Sequence, residues 1–247
     1  MREDARMIEL HLHGVVGEDF TGMSVQRRLQ QGGDVLAVIN SGGGDAAEGA
    51  AIFNALQAHP GKVNVEVRGI AASAASLIAM AGHRIVMADG AVMMIHDPQN
   101  ITIGNSDDHA KTIEQLEAFA RAYAGIYAKR SGKTAAETRA IMKAETWYDG
   151  PSAVAAGFAD AVVDRRADAF ARFDYEKYPK AHAAIASIER RRADALTQAR
   201  DSWRQVLSER GMLKPGIPVP AKADPHGWGE VIAKFNRQNG KKHDVKN

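Results

Sequence analysis

The chain has 247 residues and a mass of 26.6 kDa, room for one large domain or for a domain with an appendage. A composition of 45% hydrophobic and 25% charged residues excludes a wholly disordered polymer, and the absence of cysteine excludes disulfides, thiolate zinc sites and cysteine nucleophiles together. The net charge of +2 conceals an asymmetry: residues 1–164 carry 14 Lys+Arg against 20 Asp+Glu, or −6, and residues 165–247 carry 18 against 10, or +8.

No apolar run reaches the roughly 18 residues that a membrane span needs. The opening stretch, Met1 to Arg6, leads into a short strand and not into the apolar segment of a secretory signal, which fits a cytoplasmic protein. Period-two alternation predicts a strand over residues 7–13, and an apolar run predicts a buried strand over 34–40. Further short strands are predicted over 63–67, 84–87 and 91–95. Between them, helical patterns cover 24–31, 46–58 and 73–81. Strands alternating with helices imply an α/β body with a largely parallel sheet and right-handed crossovers. A longer helix is predicted over 107–130, with Ile113, Leu116, Phe119, Ala120, Tyr123 and Ile126 at three- and four-residue spacing. Beyond residue 164 comes a basic extension. It has an Ala/Arg-rich, loosely helical stretch over 181–210, a Gly/Pro-rich stretch over 211–220 and a polar end over 236–247.

Three junctions of strand with helix or turn hold residues suited to chemistry, where α/β sheets commonly carry their sites. In Asn40-Ser41-Gly42-Gly43-Gly44-Asp45, consecutive glycines free the backbone to turn N–H groups toward an anion. Asp45 stands where a phosphate loop needs Lys-Ser/Thr, which favours an oxyanion over a phosphate; a tight turn is the plain structural reading. In Gly69-Ile70-Ala71-Ala72-Ser73-Ala74-Ala75-Ser76, Ser73 opens an apolar helix. It is either an N-cap or a nucleophile flanked by small side chains that let a substrate backbone approach. In Val92-Met93-Met94-Ile95-His96-Asp97-Pro98, His96 ends a buried strand at the rim of the sheet and could act as a base. A base needs a carboxylate to orient it, and spacing alone leaves Glu145, Asp149 and Asp97 open.

Taken together, these segments resemble the Clp protease proteolytic subunit (ClpP) family, and in particular its phage head maturation protease branch. The resemblance runs from about Met7 to Asp164 and ends in Thr146-Trp147-Tyr148-Asp149-Gly150-Pro151-Ser152-Ala153-Val154-Ala155-Ala156-Gly157-Phe158-Ala159-Asp160. It implies a ClpP/crotonase-like spiral of strand–helix units with a protruding handle helix, followed by a mainly helical tail. It implies domains of 1–164 and 165–247, with Ser73 as nucleophile and His96 as general base. The Gly44 and Ala74 N–H groups would form the oxyanion hole, and Glu145 would be the orienting acid with Asp149 in reserve. Glutamate at 145, glycine at 42 and alanine at 74 depart from the family's usual aspartate, proline and methionine. The implied activity is serine-type endopeptidase cleavage, needing no metal, nucleotide or other cofactor.

Protein or peptide substrates and a homo-oligomeric ring built through residues 100–130 are expected, with a capsid or scaffold protein as candidate partner of the tail. Only about six residues precede the first strand, so docking to an unfoldase ATPase is not expected, and neither a membrane nor a nucleic acid is required. The implied location is the bacterial host cytoplasm, inside a phage procapsid in the fullest form of the reading. The competing readings are a non-enzymatic assembly or scaffold protein of the same fold and a crotonase-type acyl-CoA enzyme, the latter poorly served by an acidic body.

Overall fold

The computed structural model describes residues 7–168, together with 180, 197, 198, 201, 202 and 205. The chain forms two units, Met1–Ala193 and Asp194–Asn247. Of the basic extension, the described residues 197, 198, 201, 202 and 205 are helical and exposed. The rest of the stretch expected to be helical, and the Gly/Pro-rich and polar segments after it, lie outside the described residues.

The first unit begins with β1 (Met7–Val16), whose strict in–out burial fits an edge strand with one packed face. A helix, α1 (Gly22–Leu29), follows, opened by a reciprocal capping box between Thr21 and Ser24. Next come β2 (Asp34–Gly44), α2 (Ala46–Gln57), β3 (Val63–Ala72), α3 (Ala74–Ala79), β4 (Arg84–Asp89) and β5 (Val92–Ile95). The strands β2 and β3 are buried on both faces, as apolar runs in a parallel sheet should be. Among the described residues the sheet has seven strands; β1, β2, β3, β4 and the strand Ala161–Arg166 (β7) lie side by side in that order, with β5 pairing β3 beyond the point where β4 leaves it. All of these pairings are parallel. The expected α/β architecture is therefore present.

After β5 the chain enters the long helix α4 (Ser106–Ser131), capped by Asn105 at one end and stopped by Gly132 in the left-handed conformation at the other. Its second half buries Ala120, Tyr123, Ala124 and Tyr127, whereas Ile113 in its first half is 62% exposed. Then come α5 (Ala135–Lys143), β6 (Thr146–Asp149), α6 (Gly150–Ala156) and β7 (Ala161–Arg166). These four elements were not anticipated from periodicity: the two strands are short and polar, and the helices are brief. β6 pairs antiparallel with β5, Met94 opposite Trp147 and Ile95 opposite Thr146. β7 closes the far side of the sheet and runs two residues past position 164, with Arg166 opposite Asp89. An ion pair of 3.1 Å joins Arg165 on β7 to the buried Glu66 on β3, which also takes Arg68 at 3.0 Å.

One expectation changes. The run Ser41-Gly42-Gly43-Gly44 is not a tight turn or a free loop but the end of β2, paired through Val15 and Val16 of β1 after a bulge. The Asp45 N–H donates to the Val16 carbonyl and locks the end of the strand. Glycine is needed here for closeness of approach. A Cβ on Gly44 would sit 2.2 Å from the Val16 carbonyl oxygen, and one on Gly43 would sit 2.7 Å from both the Ala72 oxygen and the Ser73 Cβ. No side chain fits between β2 and the residues that end β3.

Candidate active site

The end of β3 delivers Ser73 to the C-terminal rim of the sheet, where parallel α/β sheets place their sites. Its backbone is strained: φ is 56° and ψ is −125°, a region that residues with a side chain seldom occupy. Ser73 stands at the N-cap position of α3, yet its hydroxyl makes no capping bond. The hydroxyl instead lies 2.7 Å from the Nε2 of His96, one residue beyond β5. Of the two explanations open for this serine, capping is thus not the one realised. β3 and β5 run side by side, with Ala72 opposite Met94, and the Ser73 N–H donates to the Met94 carbonyl at 3.0 Å. Sheet register therefore fixes the spacing of the pair.

His96 is 8% exposed, and its burial pushes the imidazole down to about 4. It is neutral at pH 7, and a neutral ring accepting from the Ser73 O–H at Nε2 carries its proton on Nδ1. The cavity beside the pair has a volume of about 530 Å³. Gly44 and Ala74 both line it, along with Ser73 and His96, so the residues expected to supply the oxyanion hole border the same space as the candidate nucleophile. Leu116, Phe119 and Tyr123 of α4 supply an apolar wall. Tyr123 fastens that wall by donating its phenol to the Ala46 carbonyl at 2.5 Å, and burial raises the phenol to about 12.

The three candidate acids have separate engagements. The Glu145 carboxylate accepts the Trp147 indole N–H at 3.1 Å, and Glu145 itself is left-handed, with φ at 48°. The Asp149 carboxylate caps α6, accepting the Ser152 N–H at 3.0 Å and the Ser152 hydroxyl. Asp97 pairs with Arg139 at 2.6 Å, and Arg139 reaches Glu117 on α4 at 2.7 Å. Register separates the first two: Glu145 directly precedes Thr146, which pairs with Ile95, the residue before His96. Asp149 lies opposite Val92, four residues or about 13 Å of strand away from His96.

Sequence reasoning missed the Trp147 contact to Glu145 and the Arg139 clamp. The clamp joins residues far apart in sequence that α5 brings together, and the indole bond, between residues only two apart, depends on a side-chain rotamer. Among the described residues no cluster of His, Asp or Glu has the arrangement of a metal site, and no helix is long and apolar enough to cross a membrane.

The structure thus brings a serine of strained backbone and a buried histidine into contact on the rim of a parallel sheet, beside a cleft. Residues 23–166 match the Clp protease family, and the chain belongs to that family. It is 32% identical over 139 residues to the ATP-dependent Clp protease proteolytic subunit 2 of Rhodococcus jostii, covering 55% of this chain and 71% of that protein. It is 30% identical over 135 residues to the corresponding subunit of Streptococcus mutans, covering 53% and 69%. The Oryza sativa proteolytic subunit is 26% identical over 183 residues, covering 72% and 85%.

Proposed function

We propose that this protein is a serine endopeptidase in which Ser73 is the nucleophile and His96 the general base. The observation that carries the reading is the 2.7 Å approach of the Ser73 hydroxyl to His96 Nε2 at a strained backbone position. His96 Nε2 takes the Ser73 proton as the oxygen bonds to a peptide carbonyl carbon. The resulting oxyanion lies against the Gly44 and Ala74 N–H groups. The C–N bond then breaks, and the imidazolium returns its proton to the departing amine. Water repeats the sequence on the acyl-enzyme: His96 removes its proton, the C–O bond to Ser73 breaks, and Ser73 recovers the proton.

Glu145 is the acid in this reading, and Asp149 is set aside because its position in the β5–β6 ladder is remote from His96. In this reading the Glu145 carboxylate leaves Trp147 to hold the imidazolium, and what supports it is that Glu145 adjoins Thr146, the partner of Ile95 next to His96. The natural substrates are capsid or scaffold proteins processed during phage head maturation. The −6 body and +8 tail support this, since a basic extension suits an acidic protein surface. Assembly is a homo-oligomeric ring through α4 and the segment before it, where Ile101 and Ile103 are 87% and 95% exposed.

A fluorophosphonate probe should label the wild-type protein and leave Ser73→Ala unlabelled. Labelling that persists in Ser73→Ala would remove Ser73 from the mechanism. The purified protein should also degrade unfolded casein without ATP, and strict dependence on an added unfoldase would overturn the phage assignment.

A further inference from the structure

Behind the nucleophile lies a pair of hydroxyls that the mechanism above does not use. Ser76 and Tyr127 are buried, with relative exposures of 0% and 2%, and their oxygens are 2.8 Å apart. The Ser76 hydroxyl also donates to the Ser73 carbonyl at 2.7 Å. A serine has one proton to give, so with that proton on the carbonyl the Tyr127 O–H must be the donor to Ser76. Burial holds the Tyr127 phenol above its ordinary range, so it is protonated, and a donor, at neutral pH. The result is a directed chain, from Tyr127 O–H to Ser76 O–H to the Ser73 carbonyl.

The same carbonyl accepts the Ser76 and Leu77 N–H groups at 3.0 and 3.2 Å, so three donors converge on one oxygen. The peptide unit to which that oxygen belongs has the Ala74 N–H at its other end. Donors on the oxygen fix the plane of the unit and pull electron density toward oxygen, which makes its N–H the stronger donor. Resting on the reading of Ser73 as nucleophile, we propose that Ser76 and Tyr127 are positioning residues that orient and polarise the 73–74 peptide, so that the Ala74 N–H meets the developing oxyanion. Tyr127 lies on α4 and also lines the cleft, so the chain joins the hole to the helix forming the substrate wall.

The test uses Ser76→Ala, Tyr127→Phe and the double variant of the full-length protein. It reads peptide hydrolysis, affinity for a peptide boronate that makes a tetrahedral adduct at Ser73, and thermal stability. Ser76→Ala should lower kcat about 10-fold with KM within twofold, less than the 10²–10³-fold loss on deleting a hole donor outright. Tyr127→Phe, one bond further off, should cost about threefold. Boronate affinity should fall in parallel. The acid limb of the pH profile should stay in place, because the chain does not touch His96.

Ser76→Ala alone strands a buried phenol, whereas the double variant removes both hydroxyls and should regain stability. In our reading it regains no kcat and falls no lower than Ser76→Ala, because Tyr127 acts only through Ser76. A double variant with wild-type kcat, or losses that multiply, would overturn the proposal while leaving Ser73 in place. A wild-type protein that neither takes up fluorophosphonate nor cleaves peptide would overturn the hydrolase reading and this inference with it.

Discussion

At position 73 the backbone holds a conformation that costs on the order of 1–3 kcal/mol and exists because the sheet and α3 jointly impose it. Ser73→Gly should therefore abolish hydrolysis yet raise the unfolding midpoint, by up to about that energy; a lower midpoint in thermal or urea unfolding would show that the strain is not real. His96 has a depressed pKa, so its contribution to folding is present above the unfolded value of 6.5 and is lost as pH falls toward about 4. The total is roughly 3 kcal/mol at most, from 1.36 kcal/mol per pKa unit. Comparing urea midpoints of the wild type and His96→Gln between pH 7 and pH 4 should show the wild type losing more across that interval. The acid limb of kcat/KM should likewise lie below pH 6.5. Under the proposed role of Glu145, Trp147→Phe frees its carboxylate to sit beside the imidazolium, which favours the charged ring, so that limb should move upward. The serine and histidine were legible as residue types at strand ends, and the structure brings them within 2.7 Å of each other. The grip of Trp147 on Glu145 was not, because it depends on a side-chain rotamer that spacing does not encode.

Among the elements, the first five strands and the helices between them were legible because each is punctuated. Buried apolar runs such as Val35 to Ile39 end at glycines, and cap residues such as Asp45 open the helices. The later part of the first unit was opaque for the opposite reason. Thr146–Asp149 is a four-residue strand that makes sense only against β5, and Ala161–Arg166 is half polar because one side of it faces solvent. The glycine run left a turn or an anion-facing loop open because composition gives conformational freedom without saying which neighbour demands it; here the run ends β2, and the neighbours are Val16 and the end of β3. Gly43→Ala would place a methyl against the Ala72 carbonyl and the Ser73 Cβ while forcing a left-handed φ of 98°. It should lower stability by at least about 1–3 kcal/mol and suppress phosphonate labelling more than a cap variant such as Asp45→Ala does. Labelling at the wild-type rate in Gly43→Ala would contradict the packing described for β2.

For the whole molecule, family membership rests on residues 23–166, and the described strands of the α/β architecture fall within residues 7–166. The first half of α4 and the stretch before it present Ile101, Ile103 and Ile113 to solvent. Burying an aliphatic side chain of that size stabilises association by about 1.5–3 kcal/mol. Ile103→Asp should therefore shift the sedimentation profile toward monomer while the circular dichroism spectrum stays unchanged; an unaltered assembly would move the ring contact to another face.

Ile101 belongs to that exposed face and also borders the cleft beside Ser73. Where the proposed ring closes over that face, one residue serves a neighbour's footprint and a substrate's footprint, and quaternary state becomes an ingredient of turnover. Progressive dilution should then yield a latent enzyme, dormant as a lone subunit and awakened by crowding. Confinement in a small compartment would by itself be enough to switch it on.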